Sequence, residues 1–123
     1  MDQRKAVILC VDDEENPLIL RKLVLQKSGY DVVTATSGAQ ALEILGLREV
    51  DLVLSDQLMP GITGTQLATE AKAMNPDLPV IIVSGVNEIP VDADRADLFI
   101  SKLEGPVALS EKIAGVLARS RRS

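Results

Sequence analysis

An α/β fold built on a parallel sheet is what this 123-residue chain predicts, on three observations. Short continuous apolar runs recur along it, at 6–11, 52–54 and 79–83, the pattern of strands covered on both faces. Between them lie segments with helical periodicity and recognisable capping residues. The runs end in polar or charged residues: Asp12, Asp56 and Ser84. Strands alternating with helices imply right-handed crossovers and a doubly wound sheet. The composition does not change along the chain, so one domain over 1–123 is expected, burying roughly two-thirds of its unfolded surface.

The first strand covers 6–11 and terminates in Asp12-Asp13-Glu14-Glu15. Asn16 is the expected N-cap of the first helix and Pro17 its first position. Ile19, Leu20, Leu23, Val24 and Lys27 carry the helical period until Ser28-Gly29, where Gly29 is the expected stop. The second strand is 31–36, with β-branched Val32, Val33 and Thr34. Ser37 and Gln40 make a capping box for a helix running to about Gly46. Strand three, from Leu52, ends in Asp56, and Pro60-Gly61 marks the loop beyond it. Thr63 and Gln66 form a second capping box, Leu67, Ala71 and Met74 share a face, and Asn75-Pro76 ends the helix. Strand four is 79–83, closing on Ser84-Gly85, and 86–97 is poorly patterned. Strand five is 98–101 and leads into Lys102. Gly105-Pro106 opens the last helix, with Leu109, Ile113, Val116 and Leu117 on its buried side.

Composition narrows the function. A net charge of −5 argues against a nucleic-acid grip, and Arg119, Arg121 and Arg122 read as a solvated helix end. The single cysteine, Cys10, lies in an apolar run and reads as a small core residue in a reducing compartment. Six apolar residues after Arg4-Lys5 are too few for a signal-peptide core or a membrane span, so a cytoplasmic location without membrane contact is expected. The chain contains no histidine, which excludes imidazole catalysis and histidine metal ligation. No glycine-rich nucleotide or dinucleotide loop occurs.

In an open parallel sheet the strand C-terminal ends share one edge, and ligands bind there where strand order reverses. Asp12 and Asp13, Asp56, Ser84 and Lys102 all fall on that edge. Alone, an acid such as Asp56 more often caps or turns the chain than meets a ligand. Three carboxylates in one crevice are different. At about 4 Å and an effective dielectric near 20, each like-charged pair costs roughly 4 kcal/mol. A hard divalent cation, Mg²⁺ or Ca²⁺, would offset that charge through oxygen ligands. Carboxylate nucleophile, metal, lysine and hydroxyl together describe phosphoryl transfer onto an aspartate.

With these residues in order, the chain resembles a response-regulator receiver domain of two-component signalling over nearly its whole length. The resemblance is carried by Val11-Asp12-Asp13-Glu14, Asp56-Gln57-Leu58-Met59-Pro60-Gly61, Ser84-Gly85 and Lys102. It implies a flavodoxin-like strand order, 2-1-3-4-5. It implies Asp56 as phosphoacceptor, and Asp12, Asp13, Asp56 and the Leu58 carbonyl around Mg²⁺. Ser84 and Lys102 would contact the phosphoryl group, and Phe99 sits at the place of the switch aromatic. The implied partners are a histidine kinase or phosphotransfer protein and an unknown output protein. The implied role is a signalling module in a phosphorelay, not an enzyme. Two rivals stand beside it. A small aspartate-nucleophile phosphatase would carry a second acid two positions past the nucleophile, where this chain has Leu58. A degenerate receiver, acting as a phosphorylation-independent interaction module, remains the alternative.

The chain departs from the family pattern after Ser84. Only thirteen residues, 85–97, serve as loop, helix and return, close to the minimum for a parallel crossover. A shortened fourth helix is expected over 90–96, opened by Pro90 and burying only Val91, Ala93 and Ala96. Where the family usually places proline after its lysine, this chain has Leu103. A cis bond there would cost about 3–4 kcal/mol, so trans is expected. Leu58 and Val86 occupy the positions that flank the path of attacking water in receivers, and both are apolar. A long-lived phosphorylated form is the expectation.

Overall fold

The structure, a computed structural model, describes residues 5–85 and 96–121. Its strands are β1 (Val7–Val11), β2 (Asp31–Ala35), β3 (Leu52–Asp56), β4 (Val80–Ser84) and β5 (Leu98–Ser101). Its helices are α1 (Glu15–Lys27), α2 (Gly38–Leu47), α3 (Gly64–Met74) and α4 (Pro106–Arg121). All strand pairs are parallel, in the order β2-β1-β3-β4-β5, as expected. The predicted short helix between β4 and β5 and the position of Val86 lie outside the described residues, except that Ala96 forms a bend before β5.

Alternation along the strands divides the core into two layers. Ile8, Cys10, Leu52, Leu54, Ile81, Val83 and Ile100 pack with Leu18 and Leu25 of α1 and with Ile113, Val116 and Leu117 of α4. Leu9, Val11, Val53, Val80 and Ile82 face the other way, against Ala41 of α2 and Leu67, Ala68 and Ala71 of α3. β3 and β4 are buried along their full length, as central strands covered on both faces must be. Cys10 is buried as expected, and burial pushes its thiol up to about 12 against the opposing charge of Arg21. Among the described residues, no helix is long and apolar enough to cross a membrane.

The edge of the sheet away from the strand C-termini is pinned by two carboxylates. Asp51 accepts a hydrogen bond from the Val7 N–H at 2.7 Å, and Asp97 accepts one from the Val80 N–H at 2.6 Å. Lys72 of α3 pairs with Asp97 at 2.8 Å. These contacts fix where β1 and β4 begin, and so where each of them delivers its C-terminal residue.

Three local expectations are corrected. Helix α1 starts at Glu15, with Glu14 as its N-cap and no side-chain cap, because the Asp12 carboxylate accepts the Glu14 N–H at 2.9 Å and turns the chain early. Pro17 therefore stands third in the helix, still within the turn whose N–H groups have no helical partner. Its buried face is Leu18 and Leu25, while Ile19, Leu20 and Leu23 are exposed. At α2, Gln40 accepts from the N–H of Thr36, one residue before the capping-box position, although Ser37 does cap Gln40. The box at Thr63 and Gln66 forms in both directions. Of the face shared by Leu67, Ala71 and Met74, the first two are buried and Met74, at the end of α3, is exposed. Gly29 stops α1 with φ +99°, a conformation that side chains disfavour.

Candidate functional site

The order of the sheet reverses at β1, from which β2 lies on one side and β3 on the other. Just beyond the C-terminal ends of β1 and β3 is the crevice that such a reversal opens. β1 delivers Asp12 and Asp13 there, and β3 delivers Asp56. Register does the rest: Val11 lies beside Ser55, Asp56 beside Val83, and Ser84 beside Ser101.

Asp12, Asp13 and Asp56 each offer a carboxylate oxygen, and these atoms lie within 4.8 Å of one another. Asp12 and Asp56 are buried, whereas Asp13 is exposed. Lys102 reaches in from the end of β5 and places Nζ 2.9 Å from Asp56 Oδ1. Among the described residues, that ion pair is the contact made by buried Oδ1. Burial pushes the Asp56 carboxyl above its ordinary value; Lys102 opposes the rise and the Asp12 charge adds to it.

The peptide after Lys102 is trans, as expected for Lys-Leu, and the lysine still reaches the aspartate. A tight turn sets this up. Glu104 N–H donates to the Ser101 carbonyl at 3.0 Å, Leu103 N–H to Ser101 Oγ at 3.1 Å, and Ser101 N–H to Glu104 Oε2 at 3.2 Å. Glu104 is held in turn by Lys112 of α4, whose hydrogen bond keeps its carboxyl below the usual range. Ser84 is buried at the end of β4, and its carbonyl accepts the Lys102 N–H at 2.9 Å. Phe99 is half-buried on the α2 and α3 side. Leu58 is exposed in the loop after β3.

Two residues that matter here escape a reading of the sequence. Gln57, next to Asp56, is buried; its Oε1 accepts the Thr65 N–H at 3.0 Å and its Nε2 donates to Thr65 Oγ1 at 3.3 Å. It straps the loop after β3 to the first turn of α3. Gly64 is packed under the same strap: a Cβ there would stand 2.6 Å from the Asp56 carbonyl oxygen. The second missed residue is Arg21 of α1, whose Nη1 lies 2.9 Å from Asp12 Oδ2. A glutamine amid apolar residues was a faint signal for the first; nothing local signals the second.

The residue set fits a hard divalent cation. Its donors are carboxylate oxygens, which suit Mg²⁺, and among the described residues the buried Asp56 Oδ1 has no partner besides the Lys102 ammonium.

The family model described as response regulator receiver domain matches residues 8–114. The chain belongs to that family. Among similar proteins, the transcriptional regulatory protein GlrR of Escherichia coli is 41% identical over 125 residues, 98% of this chain and 28% of GlrR. The receiver thus spans little more than a quarter of that relative. Sporulation initiation phosphotransferase F of Bacillus subtilis is 34% identical over 91 residues, covering 74% of this chain and 73% of that protein. The solved structure of TrrA from Thermotoga maritima in complex with Mg²⁺-BeF superposes with TM-score 0.85 and 33% identity, over 90% of this receiver and 98% of TrrA. A receiver domain from Clostridium thermocellum gives TM-score 0.87 at 30% identity, over 94% and 97%.

Proposed function

We propose that this receiver takes a phosphoryl group from a phosphohistidine donor onto Asp56 in the presence of Mg²⁺, and signals by changing what it binds. One observation carries the reading: a buried carboxylate at a strand end, inside an acid cluster and 2.9 Å from a lysine ammonium. An Asp56 oxygen attacks phosphorus, the phosphorus–nitrogen bond of the donor breaks, and an acyl phosphate forms as the donor imidazole leaves. Mg²⁺, when bound, offsets the negative charge shared by the carboxylates and the phosphoryl oxygens. Asp12, Asp13, Asp56 and the Leu58 carbonyl are the groups to hold it. Lys102 and Ser84 would meet the phosphoryl oxygens, by charge and by hydroxyl. Phe99, two strands from the acceptor, would report the change to the far face.

A relative of 41% identity that is a transcriptional regulator, and a matched structure holding Mg²⁺-BeF, support this reading. The rival, a receiver that works without phosphate, has one observation in its favour, since Asp12 is already ion-paired to Arg21. Treating the purified protein with a small acyl phosphate and Mg²⁺ separates the two. Intact mass should rise by one phosphoryl group in the parent and not in Asp56→Ala; equal gain in both would remove Asp56 from the mechanism.

A further inference from the structure

Asp12 has no oxygen left unengaged by the protein. Oδ1 accepts the Glu14 N–H at 2.9 Å, and Oδ2 faces the Arg21 guanidinium at 2.9 Å. The pair is secluded, with the two side chains 15% and 3% exposed. A guanidinium stays charged at every working pH, so its charge leaves the cluster only if the side chain moves.

There is room for that movement. Beside Arg21 a groove of about 460 Å³ runs between α1 and α4, walled by Leu20, Val24 and Leu109 and edged by Glu14, Lys102 and Glu104. Arginine stems lie well along such apolar walls while the head group stays in water. Arg21 therefore has two places to go: onto Asp12, or out along the groove toward Glu14.

We propose that Arg21 is a built-in counter-cation that competes with Mg²⁺ for Asp12 and so sets how much Mg²⁺ the site requires. This rests on reading the acid cluster as the metal site. In the metal-free protein the guanidinium offsets repulsion among the three carboxylates. When a divalent ion arrives, the same guanidinium repels it and claims an oxygen it would use, directly or through water. Loading the metal then means displacing Arg21 from Asp12. Mg²⁺ affinity is lower than the bare carboxylates would give.

Calorimetric titration of Mg²⁺ into the unphosphorylated protein tests this without reference to phosphotransfer. Arg21→Met and Arg21→Gln, both good helix formers, should bind Mg²⁺ about tenfold tighter than the parent, as expected when a nearby like charge is removed. A merely structural role for Arg21 would leave affinity unchanged or weaken it. In the parent, the Arg21 Nε–H resonance should shift as Mg²⁺ saturates the site, which needs no substitution. Equal or weaker binding by the variants, or a resonance unmoved at saturation, overturns the competition while leaving the metal site intact. If neither parent nor variants bind Mg²⁺, the metal reading falls and the competition with it.

Discussion

Lys102 and Asp56 meet at 2.9 Å across an intervening strand, since β4 lies between the strands that carry them. The contact ties the ends of β3 and β5 together above β4, where Ser84 is buried. Lys102 is held from below by the Ser84 carbonyl and from behind by the Ser101–Glu104 turn.

Removing this lysine should leave a buried carboxylate without its nearest positive charge. Lys102→Met is expected to lose about 1 kcal/mol of stability at neutral pH, less than for a fully buried pair because the lysine is half in solvent. In an Asp56→Asn background the same change should be near neutral. A double-mutant cycle by urea denaturation gives the coupling, and equal losses in both backgrounds would mean the pair contributes nothing.

The raised Asp56 carboxyl makes a signed pH prediction for metal-free protein. Between its ordinary value of 3.8 and its higher folded value, the native state binds more protons than the unfolded chain. Stability therefore falls as pH rises through that window, and the penalty is fully present above it. Asp56→Asn should melt higher than the parent at pH 7, by about 4 °C for each kcal/mol relieved. The gap should close as pH falls toward the ordinary value. Melting curves in chelator buffer at several pH values check both parts.

Gln57→Leu should cost about 1–3 kcal/mol, because the buried Thr65 N–H loses its acceptor. Chemical denaturation measures the loss. Phosphorylation by a small donor should slow as well, since the strap starts one residue after the acceptor. Full stability in Gln57→Leu would show that Thr65 finds another partner.

Mg²⁺ should raise the melting temperature, and Asp13→Ala should abolish most of that gain. A ligand that binds only the folded state adds about 2.7 kcal/mol at a hundredfold excess over Kd. Thermal scans with and without Mg²⁺ give the comparison. Asp13 is the clearest choice for the variant, being exposed and unpaired with Arg21.

Much of this was readable from the chain, and the misses have physical causes. The strands came within a residue of their observed ends because central parallel strands are short, wholly apolar and bounded by polar groups. The strand ends in turn put Asp12, Asp13, Asp56, Ser84 and Lys102 on one edge. Helix α1 forms where the period of Ile19, Leu20 and Leu23 put it, yet these three are exposed. Periodicity counts apolar positions and does not know which side the sheet lies on. The start of α1 was misplaced because a side chain, Asp12, supplies the first turn with an acceptor that cap rules assign to Asn16. Arg21, between Leu20 and Lys22, looks like any solvated helix arginine; only the fold brings it nine residues back to Asp12. Gln57 is similar, since a buried amide is recognised by its partner Thr65, which the loop delivers from eight residues away.

The most direct measurement is to locate the phosphoryl group itself. Protein treated with a small acyl phosphate and Mg²⁺ is reduced with borohydride, which converts an aspartyl phosphate to homoserine, and is then mapped by peptide mass spectrometry. Homoserine should appear at position 56, should require Mg²⁺, and should be absent from Asp12 and Asp13. Label at either of those acids, or none at any aspartate under saturating donor and metal, would contradict Asp56 as the acceptor.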